Sequence, residues 1–440
     1  MSTEAGFDPV HAFVVKGQTH YTRAQVWQMA CSLAERLPAQ PCALNLFEDR
    51  LDFIVALMAV ALKGGVTLLP PDTSTHTLNE LTHGLNQPIC VFGESPGLVM
   101  PALHWPRCPL DQTPTLSLSE IRLEVLAQAQ LWLYTSGTTG TPKKIVKTWF
   151  QMQIMAEKAI QRFALSAQDT LVVTVPCQHM YGLETGVFWP LYSQARLVQS
   201  RPFYPADMEQ VISEYPQAVL VSTPFHLKTL LAFDGVSGSV KCIISATASL
   251  PTHHAQALAQ RFNAQVCEVL GSTETASFAS RCFTATDFES WHLYVQNRLD
   301  FNGDQVALVV TDLNERYELS DALSAVDEHR FELIGRRNDM IKIAGKRQSL
   351  ARLNALLLHC VADGVMMLSP SGERLDAIVV AQASPQAIRQ ALQHYMDPVF
   401  VPRQIYFVDQ IPRTKIGKLR QADLDRLVEA CRHKSESPCN

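Results

Sequence analysis

Residues 131–144 (LWLYTSGTTGTPKK) combine the groups that can hold a polyphosphate. The first residues are apolar and favour a buried strand, and the Gly, Ser and Thr that follow offer hydroxyls and converging backbone N–H groups. Lys143 and Lys144 add two ammonium groups beside this loop. The segment is not a Walker A motif, because Pro142 stands where that motif has the glycine before its Lys-Ser/Thr pair. The alternative is an ordinary polar surface loop.

A second candidate is the sequence Gly271-Ser272-Thr273-Glu274, which follows the short apolar run 266–270. A carboxylate at the mouth of a phosphate site is repulsive unless a cation intervenes, so Glu274 is a candidate Mg²⁺ ligand. Taken alone, a loop of this composition is more often a helix cap.

Both segments resemble signatures of the adenylate-forming superfamily, which includes acyl-CoA synthetases, aryl-CoA ligases and stand-alone adenylation domains. Three later segments resemble further signatures of this family, and they follow in the family's order. They are the T-G-D-like Glu318-Leu319-Ser320-Asp321, the hinge-like stretch 335–347 (GRRNDMIKIAGKR) and the P-x-T-x-x-G-K-like stretch 411–418 (IPRTKIGK). The resemblance covers most of the chain, which is shorter than typical members.

The resemblance implies a role for each matching residue. Glu274 would hold Mg²⁺, Thr273 would contact the α-phosphate of ATP, and the two acceptor oxygens of Asp321 suit the vicinal diol of ribose. Lys418 would bridge the substrate carboxylate and the α-phosphate, where a mobile ammonium stabilises charge on phosphorus. Asn338 would be the hinge. The implied ATP-binding residues are Thr135, Ser136, Gly137, Thr139, Gly140, Lys143, Thr273, Asp321 and Arg336, and the implied catalytic residues are Thr138, His179, Glu274 and Lys418.

Four positions depart from the family pattern. Lys144 replaces a usual glycine, Leu270 replaces an aromatic residue near the adenine, and Ser320 replaces the glycine before the aspartate. Asn338 stands where Asp or Lys is common, and Asn tolerates the unusual backbone angles of a pivot. A degenerate member that binds nucleotide or acyl groups without catalysis is therefore the alternative. Against it, the residues that the chemistry needs most are all present: Thr138, Glu274, Asp321, Arg336 and Lys418.

His179, within residues 176–182 (PCQHMYG), resembles the residue that gates the acyl pocket of the family. A satisfied, partly buried histidine is an equally good interpretation. Amino-acid-activating members place an Asp in this segment, and none is present here, so we expect a fatty, enoyl or aryl carboxylic acid as the substrate. By the same resemblance the substrate-binding residues are His179, Ser222, Ala246, Thr247, Gly271 and Ser272.

The resemblance implies a reaction in two steps, in which ATP, Mg²⁺ and the acid give acyl-AMP and a phosphopantetheine thiol then takes the acyl group. That thiol belongs either to coenzyme A or to an acyl carrier protein. From Arg336 onward there are 16 Lys and Arg against 10 Asp and Glu. This basic end suits an anionic partner such as ATP, the phosphates of coenzyme A or an acidic carrier protein, and a solvated basic surface is the alternative. Together with the short chain it favours a carrier protein, as in ligases of fatty-acid or polyketide metabolism. A stand-alone adenylation domain for a non-amino acid is a further alternative.

Composition argues against several other classes. A net charge of −5 disfavours a nucleic-acid binder, and the longest apolar run, 53–62, is too short to span a bilayer. The N-terminus carries no secretory pattern. The 11 cysteines include no C-x-x-C pair, so we expect reduced thiols in a cytoplasmic protein, without disulfides or a zinc site.

Alternating helix and strand patterns predict an α/β fold whose ligands lie at the carboxyl ends of parallel strands. We expect a large, layered α/β N-terminal domain over residues 1–337, with a β subdomain from about Phe278, and a small, mobile α+β C-terminal domain over residues 338–440. A capping box at Thr22 predicts a helix after it. Further helices are predicted at 53–62 and 149–163, and strands at 66–69, 171–175, 218–221, 242–245, 266–270, 306–310 and 331–334. The resemblance of the hinge-like stretch implies another strand at 341–345.

Overall fold

A computed structural model describes residues 10–83, 85, 88–94, 102–105, 123–135, 143–233, 238–303, 305–336, 340–343, 346–413, 419 and 421–436. Its strands are β1 (Ala12–Lys16), β2 (Thr19–Thr22), β3 (Cys42–Asn45), β4 (Val66–Leu69), β5 (Ile89–Phe92), β6 (Ala102–Trp105), β7 (Gln130–Thr135), β8 (Lys143–Thr148), β9 (Thr170–Val173), β10 (Arg196–Val198), β11 (Val219–Ser222), β12 (Cys242–Ser245), β13 (Gln265–Ser272), β14 (Ala276–Cys282), β15 (Trp291–Leu293), β16 (Asn297–Asn302), β17 (Gln305–Val310), β18 (Glu315–Glu318), β19 (Asp321–Ala325), β20 (Arg330–Arg336), β21 (Met340–Ile343), β22 (Lys346–Ser349), β23 (Asp363–Leu368), β24 (Leu375–Val380) and β25 (Gln404–Phe407).

The α-helices are α1 (Arg23–Glu35), α2 (Arg50–Leu62), α3 (Thr75–Thr82), α4 (Trp149–Phe163), α5 (Met180–Leu183), α6 (Trp189–Ser193), α7 (Pro205–Glu214), α8 (Pro224–Ala232), α9 (Thr252–Phe262), α10 (Leu350–Leu357), α11 (Pro385–Leu392) and α12 (Gln421–Glu436). A π-helical turn, Glu184–Phe188, joins α5 to α6. Short 3-10 helices occur at Leu123–Leu126, Thr311–Leu313 and Pro398–Phe400.

Two large sheets form the bulk of the described chain. One has the order β6-β5-β3-β4-β7-β8, in which only β8 runs antiparallel to its neighbour. The other has the order β19-β20-β15-β14-β13-β12-β11-β9-β10-β1-β2 and is parallel from β1 through β13, with antiparallel strands at both edges. Parallel strands of this kind need cover on both faces.

Helix α2 lies in the apolar layer that both sheets share. Most of its side chains are buried, because its sequence, RLDFIVALMAVAL, is apolar on nearly every side. Residues of α1, α2 and α4 belong to one core cluster together with Leu131 of β7 and Val173 of β9. The opposite face of the longer sheet is covered by α7, α8 and α9 around a second cluster. The helices therefore fix the spacing between the two sheets.

The predicted β subdomain exists in a reduced form. Strands β16, β17 and β18 form a separate antiparallel sheet, as the pattern at 306–310 indicated. The predicted strand 331–334 belongs instead to β20, which extends the longer sheet together with β14, β15 and β19. That part of the expectation was wrong, because strand alternation identifies a strand and not the sheet that it joins.

The C-terminal part has a core of its own. The hairpin β21–β22, the sheet β23-β24-β25 and helices α10 and α11 surround a separate apolar cluster that includes Leu353, Leu375 and Ile388. It lies close to the larger part at Gly335, whose φ is +150° and whose hypothetical Cβ would be 2.2 Å from the Ser349 side chain. The described residues therefore form a large α/β part and a small α+β part, as the sequence predicted.

Local signals were reliable along the chain. Thr22 caps α1 in a full capping box with Gln25, and α4 spans the residues predicted for it. Each predicted buried strand of the parallel sheets occurs within one or two residues of its expected bounds, as β4, β9, β11, β12 and the longer β13. Among the described residues no helix is both long enough and apolar enough to cross a bilayer.

The prediction that disulfides are absent was wrong, because Cys267 and Cys282 form one. They lie directly opposite each other on β13 and β14, 15 residues apart in the chain. Their spacing matches no disulfide motif, and only the hairpin brings the two sulfurs together. Free thiols are found at Cys31, Cys42, Cys90, Cys177, Cys242 and Cys360.

Candidate active site

The predicted phosphate loop lies between two paired strands. Thr135 ends β7 and Lys143 begins β8, and these two residues are direct partners in the antiparallel pair. The predicted loop residues Ser136, Gly137, Thr138, Thr139 and Gly140 lie outside the described residues.

Lys143 and Glu274 meet at this edge of the protein. The Lys143 ammonium lies 3.2 Å from a Glu274 carboxylate oxygen, and both side chains are substantially exposed. Burial alone would raise the pKa of Glu274, but hydrogen bonds from its own backbone N–H, from Lys143 and from Ser272 lower it overall. The structure therefore brings a predicted phosphate-binding lysine and the predicted metal ligand together, with the carboxyl in its ionised form.

Glu274 sits in a tight turn between β13 and β14. A Cβ on Gly271 would lie 2.1 Å from the Ala276 carbonyl oxygen, so only glycine fits there. Ala276 has a φ of +52°, in the left-handed region. Within the turn, the Ser272 N–H donates to the Thr275 hydroxyl at 3.0 Å and the Thr275 N–H donates to the Ser272 hydroxyl at 3.2 Å. Of the predicted residues here, Gly271 and Ser272 are exposed and Thr273 is half-buried.

Sequence reasoning missed Lys147, a buried residue that forms a hydrogen bond with the backbone of this turn. Its side chain, on β8, is 3% exposed. The ammonium donates to the Glu274 carbonyl oxygen and to the Tyr317 hydroxyl, the latter at 3.1 Å. Burial lowers the pKa of Lys147 to about 8, and the nearby carboxylates oppose that shift. The only sequence signal was a lysine at an inward-facing strand position.

Glu184 contacts the same turn at Ser277. It is fully buried in the π-helical segment and accepts hydrogen bonds from the Ser277 N–H at 3.0 Å, from the Ser277 hydroxyl and from the Trp189 indole at 3.3 Å. Burial raises the pKa of Glu184 to about 7, although these hydrogen bonds and Lys147 lower it. In the sequence, Glu184 is an acidic residue five positions after His179.

Asp321 and Arg336 are also brought together. They are opposite partners where β19 pairs with β20, at the edge of the longer sheet. Asp321 is half-buried, and the side chain of Arg336 is outside the described set. Three strands separate β19 from β13 in the sheet order, so these two residues are not immediate neighbours of the Glu274 turn.

The predicted acyl-pocket residues lie at neighbouring strand ends. His179 is half-buried and precedes α5, which is tied to the end of β12 by a 3.0 Å hydrogen bond from the Tyr181 hydroxyl to the Ile244 carbonyl. Ala246 is buried, and the exposed Thr247 has a φ of +81°. A β-branched residue in this region is rare, which marks a strained turn beside the site.

Ser222 occupies a more enclosed position than the resemblance suggested. Its hydroxyl is fully buried, 2.9 Å from the Thr174 hydroxyl, and Thr174 in turn lies 3.2 Å from Nδ1 of His226. By strand register Ser222 shares its face of the sheet with Leu220, which packs beneath α8. Burial lowers the pKa of His226 to about 4, so this polar group is neutral at pH 7.

Lys418 and Asn338, the predicted catalytic lysine and hinge, lie outside the described residues. The described part of the C-terminal region does contact the larger part. Lys228 of α8 donates a 2.6 Å hydrogen bond to the Ala362 carbonyl, and the ring centroids of His253 and His359 are 5.5 Å apart.

The donor set around Glu274 suits magnesium. The described residues contain no group of three or more His, Cys, Asp or Glu side chains that could hold a metal by themselves. Mg²⁺ characteristically keeps several waters and binds through one or two carboxylates plus substrate phosphates. A single ionised, half-exposed carboxylate beside a hydroxyl-rich turn meets that requirement.

Comparison with known proteins points in the same direction. Residues 124–302 match the AMP-binding enzyme family and residues 361–418 match the AMP-binding enzyme C-terminal domain, so the two matches cover more than half of the chain. A 4-coumarate–CoA ligase of Halorhodospira halophila is 27% identical over 65% of this chain and 74% of its own length. A 3,4-dihydroxybenzoate–[aryl-carrier protein] ligase of Bacillus anthracis is 22% identical over 68% and 74%.

Among solved structures, the anthranilate CoA ligase AuaEII in complex with anthranoyl-AMP superimposes with a TM-score of 0.77. The alignment covers 97% of this chain and 95% of that one, at 17% sequence identity. At that identity the likeness establishes a shared fold.

Proposed function

Because this chain belongs to the adenylate-forming superfamily of AMP-binding enzymes, we propose that it activates a carboxylic acid with ATP and passes the acyl group to a thiol. One observation carries the proposal. The ammonium of Lys143, at the end of the predicted phosphate loop, lies 3.2 Å from the carboxylate of Glu274, the predicted metal ligand, although they come from different sheets. Two independent sequence signatures thus converge on one place.

In the first step, the substrate carboxylate oxygen attacks the α-phosphorus of ATP, and pyrophosphate leaves. The loop residues Ser136, Gly137, Thr138, Thr139 and Gly140, with Thr135 and Lys143, would bind the phosphates. Mg²⁺ held by Glu274 would neutralise the developing phosphate charge. The nucleotide would be oriented by Thr273 at the α-phosphate, by Asp321 at the ribose hydroxyls and by Arg336 at the ribose or phosphate.

Lys418 would stabilise the negative charge at the reacting carboxylate and phosphate during this step. We propose that it belongs to a small domain over residues 338–440, which turns relative to residues 1–337 about Asn338. After that turn, the phosphopantetheine thiol loses its proton and attacks the acyl carbon. The thioester forms and AMP leaves.

The acid is proposed to be fatty, enoyl or aryl, bounded by His179, Ser222, Ala246, Thr247, Gly271 and Ser272. Relatives are named as ligases for aromatic acids, with either CoA or an aryl-carrier protein as the acceptor. The basic C-terminal region favours a carrier protein, within fatty-acid or polyketide metabolism. The cytoplasm, where ATP and phosphopantetheine carriers occur together, is the proposed location.

The departure at Lys144 does not favour a degenerate, non-catalytic member. The Lys144 ammonium lies 3.8 Å from the centroid of the Trp132 ring, where a cation–π contact holds it on the strand surface. It therefore leaves Lys143 as the ammonium that faces Glu274.

Exchange of labelled pyrophosphate into ATP tests the proposal. The protein is assayed over a panel of aliphatic and aryl acids, with Lys418→Ala as the control that should lose the exchange. Acid-dependent exchange supports adenylation, and its absence with every acid would leave a nucleotide-binding protein. Coenzyme A and a carrier protein with a free phosphopantetheine thiol are then compared as acceptors of the best acid, and equal use of free CoA would contradict the carrier preference.

A further inference from the structure

We propose that Lys147 and Glu184 are positioning residues that hold the turn 272–277 at Glu274 and at Ser277 and so fix the Glu274 carboxylate for Mg²⁺·ATP. This inference rests on the proposed function, in which Glu274 is the magnesium ligand. Neither residue touches the nucleotide in this proposal; both act through the backbone that carries Glu274.

The turn needs support from outside. Ala276 adopts a left-handed conformation that costs an L-residue about 1–2 kcal/mol. The hydrogen bonds between Ser272 and Thr275 close the turn but do not attach it to the rest of the protein. Besides the exposed Lys143–Glu274 ion pair, two buried side chains among the described residues supply that attachment. Lys147 binds the carbonyl of Glu274, and Glu184 binds the N–H and hydroxyl of Ser277.

The burial of Lys147 is difficult to explain by stability alone. Among the described residues, its hydrogen-bond partners are a carbonyl and a phenol, and no ion pair joins it to a carboxylate. Removing an ammonium from water costs several kcal/mol, and apolar side chains of similar volume often serve a protein core equally well. A lysine at this position therefore indicates a specific requirement for its hydrogen bonds.

Lys147 also links the turn to the proposed ribose site. Its second partner, Tyr317, donates in turn to Glu315 and lies on β18, four residues before Asp321. The Lys147 ammonium is also 4.7 Å from the centroid of the Tyr317 ring. One buried amino group thus connects the strand after the phosphate loop, the Glu274 turn and the strand that leads to Asp321.

The chain offers a matched control in Lys158. This lysine is also 3% exposed, and it also binds one backbone carbonyl, that of Val295, at 2.8 Å. Its other partner is Asp312, and none of its hydrogen bonds reaches the turn 272–277. Lys158→Met therefore measures the general cost of losing a buried lysine, and Lys147→Met adds the loss of the turn's anchor.

The test is calorimetric titration of ATP into each protein, with and without Mg²⁺, after thermal unfolding has shown that the variants are folded. This readout requires no acid substrate. Loss of an outer-shell partner typically lowers metal affinity about 10–100-fold, so Lys147→Met should lose that much of the Mg²⁺-dependent gain in ATP affinity. Lys158→Met should retain it within about twofold. In a Glu274→Ala background, Lys147→Met should cause no further loss, because both changes act on one ligand.

If Lys147→Met does not fold, Glu184→Gln provides the test. It keeps the side-chain shape but weakens acceptance from Ser277, and it should also reduce the Mg²⁺-dependent gain. The inference would be overturned if ATP binding depended on Mg²⁺ equally in Lys158→Met and in the variant tested, which is Lys147→Met or, if that does not fold, Glu184→Gln. A wild-type protein whose ATP binding ignores Mg²⁺ would instead overturn the proposed function, so the two failures are distinguishable.

Discussion

Lys143 and Glu274 belong to different sheets, yet their ammonium and carboxylate groups are 3.2 Å apart. Lys143 begins a strand of the six-stranded sheet, and Glu274 follows a strand of the longer one. Without a ligand the two charges neutralise each other. A bound Mg²⁺·ATP would give each group a new partner, with Lys143 facing phosphate and Glu274 facing the metal.

Lys143→Met should therefore raise the KM for ATP in the pyrophosphate exchange about tenfold or more, because a charge-assisted contact worth about 1.5–3 kcal/mol is lost. Lys144→Met is the matched control. Its ammonium rests on the Trp132 ring, so the KM for ATP should change less than about twofold. Equal effects of the two substitutions would contradict the assignment of Lys143 to the phosphates.

Gly271→Ala should disrupt the turn that carries Glu274, since its new methyl group would lie 2.1 Å from the Ala276 carbonyl oxygen. We expect a loss of about 1–3 kcal/mol in the free energy of unfolding, measured in urea, together with loss of Mg²⁺-dependent ATP binding. Gly17→Ala is the control, because Gly17 has a φ of +56° with open space around it. It should cost about 1 kcal/mol and leave ATP binding intact. Intact binding in Gly271→Ala would mean that the turn tolerates rearrangement.

Stability should depend on pH through Glu184. Its folded pKa is about 7, above the ordinary 4.5, so the folded state holds this proton more tightly than the unfolded state. The stability contribution is present below pH 4.5 and is lost as the pH rises to 7. Glu184→Gln does not titrate at this position. Its free energy of unfolding should therefore rise relative to that of the wild type between pH 4.5 and 7, by up to roughly 3 kcal/mol.

Chemical denaturation at several pH values measures this difference between Glu184→Gln and the wild type. Glu332→Gln, at an exposed position, is the control and should follow the wild type throughout. A constant difference between Glu184→Gln and the wild type across the range would show that folding does not raise the pKa of Glu184.

The disulfide between Cys267 and Cys282 should contribute measurably to stability. Closing a loop of 15 residues is worth about 3 kcal/mol in the chain-entropy account. Dithiothreitol should therefore lower the unfolding midpoint of the wild type, and Cys282→Ser should begin at the lower value and show no further response. A wild-type midpoint that is insensitive to the reductant, with mass spectrometry confirming reduction, would contradict this prediction.

Local sequence signals predicted the elements that local interactions determine. The capping box of α1, the apolar face of α4 and the short β-branched strands depend on residues within a few positions of one another. The pairing of Lys143 with Glu274 was also predictable in outline, because both lie in recognisable signatures. The sheet that each late strand joins was not, since edge pairing depends on the assembled core.

The supporting residues were beyond the reach of sequence patterns. Lys147 is separated in sequence by 127 residues from Glu274 and by 170 from Tyr317. Glu184 is separated by 93 residues from Ser277. Each of these charges is retained in the interior by partners that exist only after folding. The Cys267–Cys282 bond escaped prediction for the same reason, because only the hairpin places the two residues opposite each other.

Helix α2 sets the thickness of the layer between the sheets. It packs in the core with strands of one sheet, and its Arg50 donates hydrogen bonds to carbonyl oxygens at Val173 and Val175, where β9 of the other sheet ends. A bulkier or smaller side chain in α2 would move one sheet relative to the other and change the gap between Lys143 and Glu274. Substitutions within the buried core could therefore alter the geometry of an exposed ion pair at the surface.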